Sequence, residues 1–150
     1  MTNAEQQHEE PTLYQVAPEE VEYIWPHITA LLETVLERQD GHSLDDIKHQ
    51  IQHGQKHLWV LVTITNTSVI AHAVAVTQFT YYPQKTTLFI QLMAAEDIDL
   101  IGEPLKEIED FARQNGCGDV EFWARPGLVK YLTDYAPRYV VASKQLGEKL

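Results

Sequence analysis

The chain is short of the features that support several kinds of chemistry. Cys117 is its only cysteine, so no internal disulfide can form and a reducing compartment is expected. A lone cysteine at the start of an apolar segment is expected to be a small packed side chain rather than a nucleophile. No apolar run reaches the length needed to cross a bilayer, and the amino terminus has neither a basic region nor an apolar stretch, so neither a membrane span nor a secretory signal is expected. Positive charge is scarce. Residues 1–37 hold eight glutamates and neither Lys nor Arg, and the formal net charge is −11. A basic field is what draws phosphate backbones, so nucleic acid is not expected as a direct ligand. Nor is there a paired-cysteine, Ser/His/Asp or Walker-type pattern to suggest hydrolysis or phosphate transfer.

What is present is one domain's worth of patterned chain. A length of 150 residues with 44% hydrophobic side chains fits a single packed unit, expected over residues 11–150, behind an acidic, flexible tail at residues 1–10. Thr12–Val16 alternates as a short strand does. Val21, Ile24, Ile28, Leu31, Leu32 and Val35 recur at helical spacing behind Pro18, with Pro26 expected to kink or restart that helix. Gly41 closes it. Ser43 followed by Asp46 reads as the cap of a second helix that stops at Gly54. His49 and His53, with Asp45 one turn earlier, share a face. Two histidines and one aspartate are too few for a zinc site, and no metal is expected.

The middle of the chain is nearly uncharged, with Lys85 the single charged side chain between Leu58 and Ala95. Leu58–Thr65 and Val69–Phe79 predict a hairpin, and Tyr81–Lys85 leads into a third strand, Thr86–Ala95. An acidic loop, Glu96–Asp99, follows. Ile101, Leu105, Ile108 and Ala112 then mark one face of a helix that ends at Asn115–Gly116. Asp119–Ala124 predicts a further strand, Arg125–Gly127 a turn into a short helix, and Arg138–Lys144 a last strand. The fold class is therefore α/β (α+β): a mixed, mostly antiparallel central sheet of about six strands with helices on both faces. Trp59, Ile90, Leu92, Ile108 and Phe122 are expected to be largely buried.

That order of elements resembles the GCN5-related N-acetyltransferase (GNAT) fold, over roughly Leu13 to Leu146. The carrying residues are Leu58-Trp59-Val60, Tyr82-Pro83-Gln84-Lys85, Ile108–Arg113 with Gly116-Cys117, and Val120-Glu121 leading to Arg125 and Gly127. More narrowly, the chain is similar to short GNAT-like proteins of tailed bacteriophages, some of which share the shape without the activity. The resemblance implies acetyl-coenzyme A as cofactor if the protein is catalytic. Leu92, Met93, Ala94 and Gly102 would then be the cofactor-binding positions, with Glu96 (or Glu121) as base and Tyr131 as a weak candidate acid. In active members a Gln/Arg-x-x-Gly-x-Gly/Ala loop holds the pyrophosphate through backbone amides at a helix start. Here the matching stretch, Ala94 to Glu103, has one glycine and is dense in acids, which repel an anion placed there. Leu132 stands where the family's acidic Tyr is expected. Tyr131 and Tyr135 are expected to pack with Tyr139.

The function expected from these departures is a GNAT-fold phage protein without efficient acetyl transfer, acting through contacts with a phage or host protein in virion assembly or host takeover. The alternative is an acetyl-coenzyme A-dependent N-acetyltransferase with an atypical loop. Location is expected in the host cytoplasm or the virion, and a homo-oligomer is left open. Trp25, Tyr81, Tyr82 and Tyr135 flank breaks in the pattern, and Tyr81 and Tyr82 are the residues expected to touch a partner.

Overall fold

The computed structural model describes residues 10–37 and 41–147. The tail expected at residues 1–10 lies almost entirely outside the described residues. Five strands and four helices follow in order: β1 (Thr12–Val16), α1 (Val21–Leu36), α2 (Leu44–Gln52), β2 (His57–Ile64), β3 (Val69–Tyr82), β4 (Lys85–Ala95), α3 (Gly102–Gln114), β5 (Asp119–Phe122) and α4 (Pro126–Tyr131). Short 3-10 turns at Pro18–Glu20 and Ile98–Leu100 lead into α1 and α3. The strands lie side by side in chain order. The first three pairings are antiparallel, whereas β5 returns beside β4 in parallel after the α3 crossover.

The expected caps and stops are in place. Asp46 N donates to Ser43 Oγ at 3.1 Å, opening α2, and Gly54 ends it with φ 76°, a conformation that suits glycine. Pro26 lies inside α1, which continues past it to Leu36. Helices cover both faces of the sheet. On one, Val21, Ile28, Leu32, Ile47 and Ile51 of α1 and α2 pack on Val60, Val76 and Leu92; on the other, Leu105, Ile108 and Ala112 of α3 pack on Trp59, Leu88 and Ile90. This is the two-layered cover that an uncharged sheet between amphipathic helices predicts.

Two expectations are corrected. The sixth strand is absent: Arg138–Lys144 is irregular and exposed, and Val140 and Val141 pair with no strand. Its β-branched side chains suit a sheet, but β-propensity forms a strand only where an edge is there to receive it. Phe122 is half-buried rather than largely buried, because β5 is an edge strand, while Trp59, Ile90, Leu92 and Ile108 are buried as expected. Trp25, beside a break in the pattern, packs in the α1–α2 layer.

Two bulges shape the sheet. Leu61 pairs with Ala73 and Val62 with Ala71, leaving His72 as an extra residue; Val76 pairs with Leu92 and Thr77 with Ile90, leaving Gln91 extra. Bulges bend a strand and re-aim its side chains. Beside the Gln91 bulge lies a polar cluster, in which Trp59 Nε1 donates to Thr77 Oγ1 at 2.9 Å and His57 Nδ1 lies 2.9 Å from the same hydroxyl. The His57 ring also meets Phe79 and Phe111 edge-on, with centroids 4.8 and 5.1 Å apart. Burial holds the His57 pKa below its ordinary 6.5.

This has a sign in pH. Below 6.5 the unfolded chain takes up a proton that folded His57 resists, so the unfolded state gains and stability falls with acidification. Urea midpoints measured from neutral pH to about pH 5 should decline, and His57→Gln should flatten part of that slope. An unchanged slope in the variant would show that other groups carry it.

Candidate functional site

The site is set by where β4 and β5 part. Asp119 at the start of β5 is held against β4 by Lys85 Nζ at 2.7 Å and by Thr87 Oγ1 at 2.6 Å. Burial pushes its carboxyl up, but these hydrogen bonds outweigh that and lower its pKa overall. Pairing runs from Thr87 to Ile90, and Trp123 N still donates to Ile90 O at 3.3 Å. β4 then continues from Gln91 to Ala95 without β5 beside it. The result is a fork with the Gln91 bulge at its crotch.

A groove of about 340 Å³ opens at this fork. Gln78, Thr80 and Tyr82 of β3 line it, continuing the alternate row that begins with Val74 and Val76, so it lies on the α1–α2 face. Phe89 and Gln91 of β4, with Glu121 of β5 and Trp123 just after it, form the opposite wall; His42 and Lys56 complete the lining. The Phe89 and Trp123 rings meet edge-on with centroids 4.8 Å apart. Tyr82 donates its hydroxyl to Glu121 Oε1 at 3.1 Å, and this bond to a carboxylate raises the Tyr82 pKa. Lys56 is buried, with its Nζ donating to Gln91 Oε1, and desolvation lowers its pKa. The groove thus offers one amine, one carboxylate, two amides and three aromatic rings, together with the His42 imidazole.

No protein-family model matches the chain, and no curated protein matches it by sequence. Solved structures do. An aminoglycoside acetyltransferase, meta-AAC0020, from an uncultured soil metagenomic sample superposes with a TM-score of 0.66 at 14% identity, over 94% of this chain and 99% of that one. A GNAT family acetyltransferase of Staphylococcus aureus gives 0.65 at 11% identity, over 91% and 99%. A possible acetyltransferase from Clostridium difficile 630 gives 0.63 at 9%, over 93% and 100%. The fold is the GNAT fold. At such identities the likeness is one of architecture, extending over nearly the whole of each chain.

Within this GNAT fold, the residues expected at a site fall in two places. Glu121 and Tyr82 line the groove; Tyr81, adjacent on the strand, points to the other face and is strongly exposed. Glu96 lies beyond the end of β4, and its Oε1 accepts from His72 Nδ1 at 2.6 Å. A carboxylate only accepts, so His72 Nδ1 carries a proton, and its Nε2 lies 2.8 Å from Thr63 Oγ1. Glu96 is therefore tied into a Thr63–His72–Glu96 chain rather than turned to the groove. Tyr131 donates to Asp99 Oδ1 at 3.2 Å, which raises its pKa and engages its proton in the acidic loop.

The expected cofactor positions give backbone rather than side chains. Leu92 and Ala94 are buried toward α1 and α2, and Met93 is buried toward α3. Gly102 opens α3 with a negative φ, and a Cβ there would meet nothing within 4 Å, so the fold itself does not require glycine. Pro104 lies in the first turn of α3 and supplies no N–H. Asp97 Oδ1 already accepts from Asp99 N at 2.9 Å. Leu132 is buried against α3, and Tyr135 donates to Glu109 at 2.6 Å, its pKa raised by burial and by that carboxylate. Packing of Tyr131 and Tyr135 with Tyr139 is thus not found: Tyr139 is largely exposed, beside Arg138.

Lys56, Gln91, His42 and Trp123 were missed by sequence reasoning. The available signals were a lysine directly before an apolar strand and one glutamine interrupting another. His49 and His53 stack at 4.0 Å at the end of α2. Among the described residues, no group of three His, Cys, Asp or Glu is placed to hold a metal ion, and no helix is long and apolar enough to cross a membrane.

Proposed function

We propose that this is a GNAT-fold protein of the tailed-phage kind that acts through protein contacts, without efficient acetyl transfer. The observation that carries this reading is the corner after β4. Where an acyl-coenzyme A pyrophosphate would need backbone donors, Asp97, Asp99 and Glu103 supply negative charge and Pro104 removes a donor. These residues do not fit the cofactor. Two like charges about 4 Å apart repel by ~4 kcal/mol at an effective dielectric near 20, and less with salt. Leu132, an apolar side chain, cannot serve as an acid, and Tyr131 is engaged by Asp99. Support for contacts comes from apolar side chains left outside the core: Tyr81 on β3, and Tyr139, Val140, Val141 and Leu146 along the carboxyl-terminal segment. A virion or a host protein is the expected setting, and mass spectrometry of purified particles would separate the two.

Titration calorimetry with acetyl-coenzyme A tests the reading. The unaltered protein should give no saturable heat, and Glu96→Gln/Asp97→Asn/Asp99→Gly should bind about tenfold tighter or better, a gain of 1.4 kcal/mol or more. Micromolar binding by the unaltered protein, with transfer to an amine that depends on Glu121 or Glu96, would overturn it.

The second reading, acetyl-coenzyme A-dependent N-acetyl transfer, draws on the groove. Glu121 lies at the fork of β4 and β5, where a carboxylate can receive a proton from an incoming amine.

A further inference from the structure

Lys56 is 7% exposed, yet it ends in a groove open to solvent. Its partner is the amide oxygen of Gln91, itself 1% exposed, and among the described residues no carboxylate lies within 4.0 Å of Lys56 Nζ. An ammonium group taken out of water and left without a counter-charge is costly, and an anion brought to it would offset that cost. The groove has a second charge, Glu121, facing the same space, so a phosphate dianion would be repelled more strongly than a single carboxylate, and a ligand that also carries a cation would suit both groups. Phe89 and Trp123, meeting edge to face, add an apolar corner to the same lining. The volume of about 340 Å³ is that of a small-molecule site.

We propose that this groove binds a small zwitterion, an α-amino acid with an apolar side chain, its carboxylate on Lys56, its ammonium on Glu121 and its side chain on Phe89 and Trp123. The lowered pKa of Lys56 agrees with an amine short of a counter-ion. The site is independent of acetyl transfer: a protein acting through contacts would be occupied at this groove, and an acetyltransferase would find its acceptor there.

The experiment is calorimetry on the full chain with L-phenylalanine and L-leucine, and with two probes that each lack one charge, 3-phenylpropanoate and 2-phenylethylamine. The indole signal of Trp123 is followed by NMR in parallel. Both amino acids should bind saturably at millimolar concentration and shift that signal. Lys56→Met should weaken L-phenylalanine and 3-phenylpropanoate by about tenfold and leave 2-phenylethylamine unchanged; Glu121→Gln should weaken L-phenylalanine and 2-phenylethylamine and leave 3-phenylpropanoate unchanged. Absence of saturable binding by both amino acids overturns the proposal. So does equal affinity of L-phenylalanine for the unaltered protein and a folded Lys56→Met. Should Lys56→Met fail to fold, the probes on the unaltered protein decide: the proposal falls if 2-phenylethylamine binds as tightly as L-phenylalanine.

Discussion

Ile90→Ala or Leu92→Ala should lower the stability of the fold by about 2–5 kcal/mol each. Both side chains have no exposed surface, and they stand on opposite faces of β4. Ile90 packs against the α3 layer, and Leu92 against α1 and α2. Each truncation removes apolar contact and leaves a cavity that a strand paired with β3 cannot collapse around. Because the two layers are separate, the pair tests both with one strand. Urea denaturation gives the measurement, and a midpoint unmoved in either variant would mean that β4 is not a strand buried between the two layers.

The other large effect is expected at Thr77, which is fully buried and serves two partners. Trp59 Nε1 can only donate, so the hydroxyl oxygen accepts from it; the hydroxyl's own proton then goes to Nδ1 of neutral His57. Thr77→Val preserves shape and deletes both bonds, leaving a buried indole N–H and a buried ring nitrogen unsatisfied. At roughly 1–3 kcal/mol for each of the two orphaned groups, the loss should be about 2–6 kcal/mol. Thr77→Ser keeps the hydroxyl and loses one methyl, for a loss of about 1 kcal/mol. If the two variants melt together, the two hydrogen bonds contribute no more than the single methyl does.

The architecture was legible because its signals are local and repeated. The α1 face, the Ser43 cap, the apolar runs of β2 to β4 and the α3 face each obey one period, and the order of elements follows from them. The strand expected at Arg138–Lys144 was not found, because a run of β-branched residues carries no information about whether an edge will receive it. The site was legible only in part. Glu121 and Tyr82 were in view as candidates, and the fork brings them together with Lys56 and Gln91. Those two are distant in sequence and meet through the β2–β3–β4 pairing, which no local pattern encodes. Glu96 adjoins the end of β4 in sequence, yet its side chain is drawn to His72, whose position depends on a bulge.

The Gln91 bulge also bears on how such a groove arises and is lost in evolution. Ile90 faces α3, Gln91 faces the groove, and Leu92 faces the same side as Gln91, toward α1 and α2. Deleting the Gln91 codon would join Ile90 directly to Leu92, and the partners Thr77 and Val76 would then run in unbroken register. Every apolar side chain after the deletion would keep its face, so the two cores would be preserved while Lys56 lost its amide partner. At other paired positions of β4, the same deletion would turn the downstream side chains over. One codon, inserted or removed at this place, therefore separates the inheritance of the fold from the inheritance of the groove, and lineages sharing the first can differ in the second without passing through an unfolded intermediate.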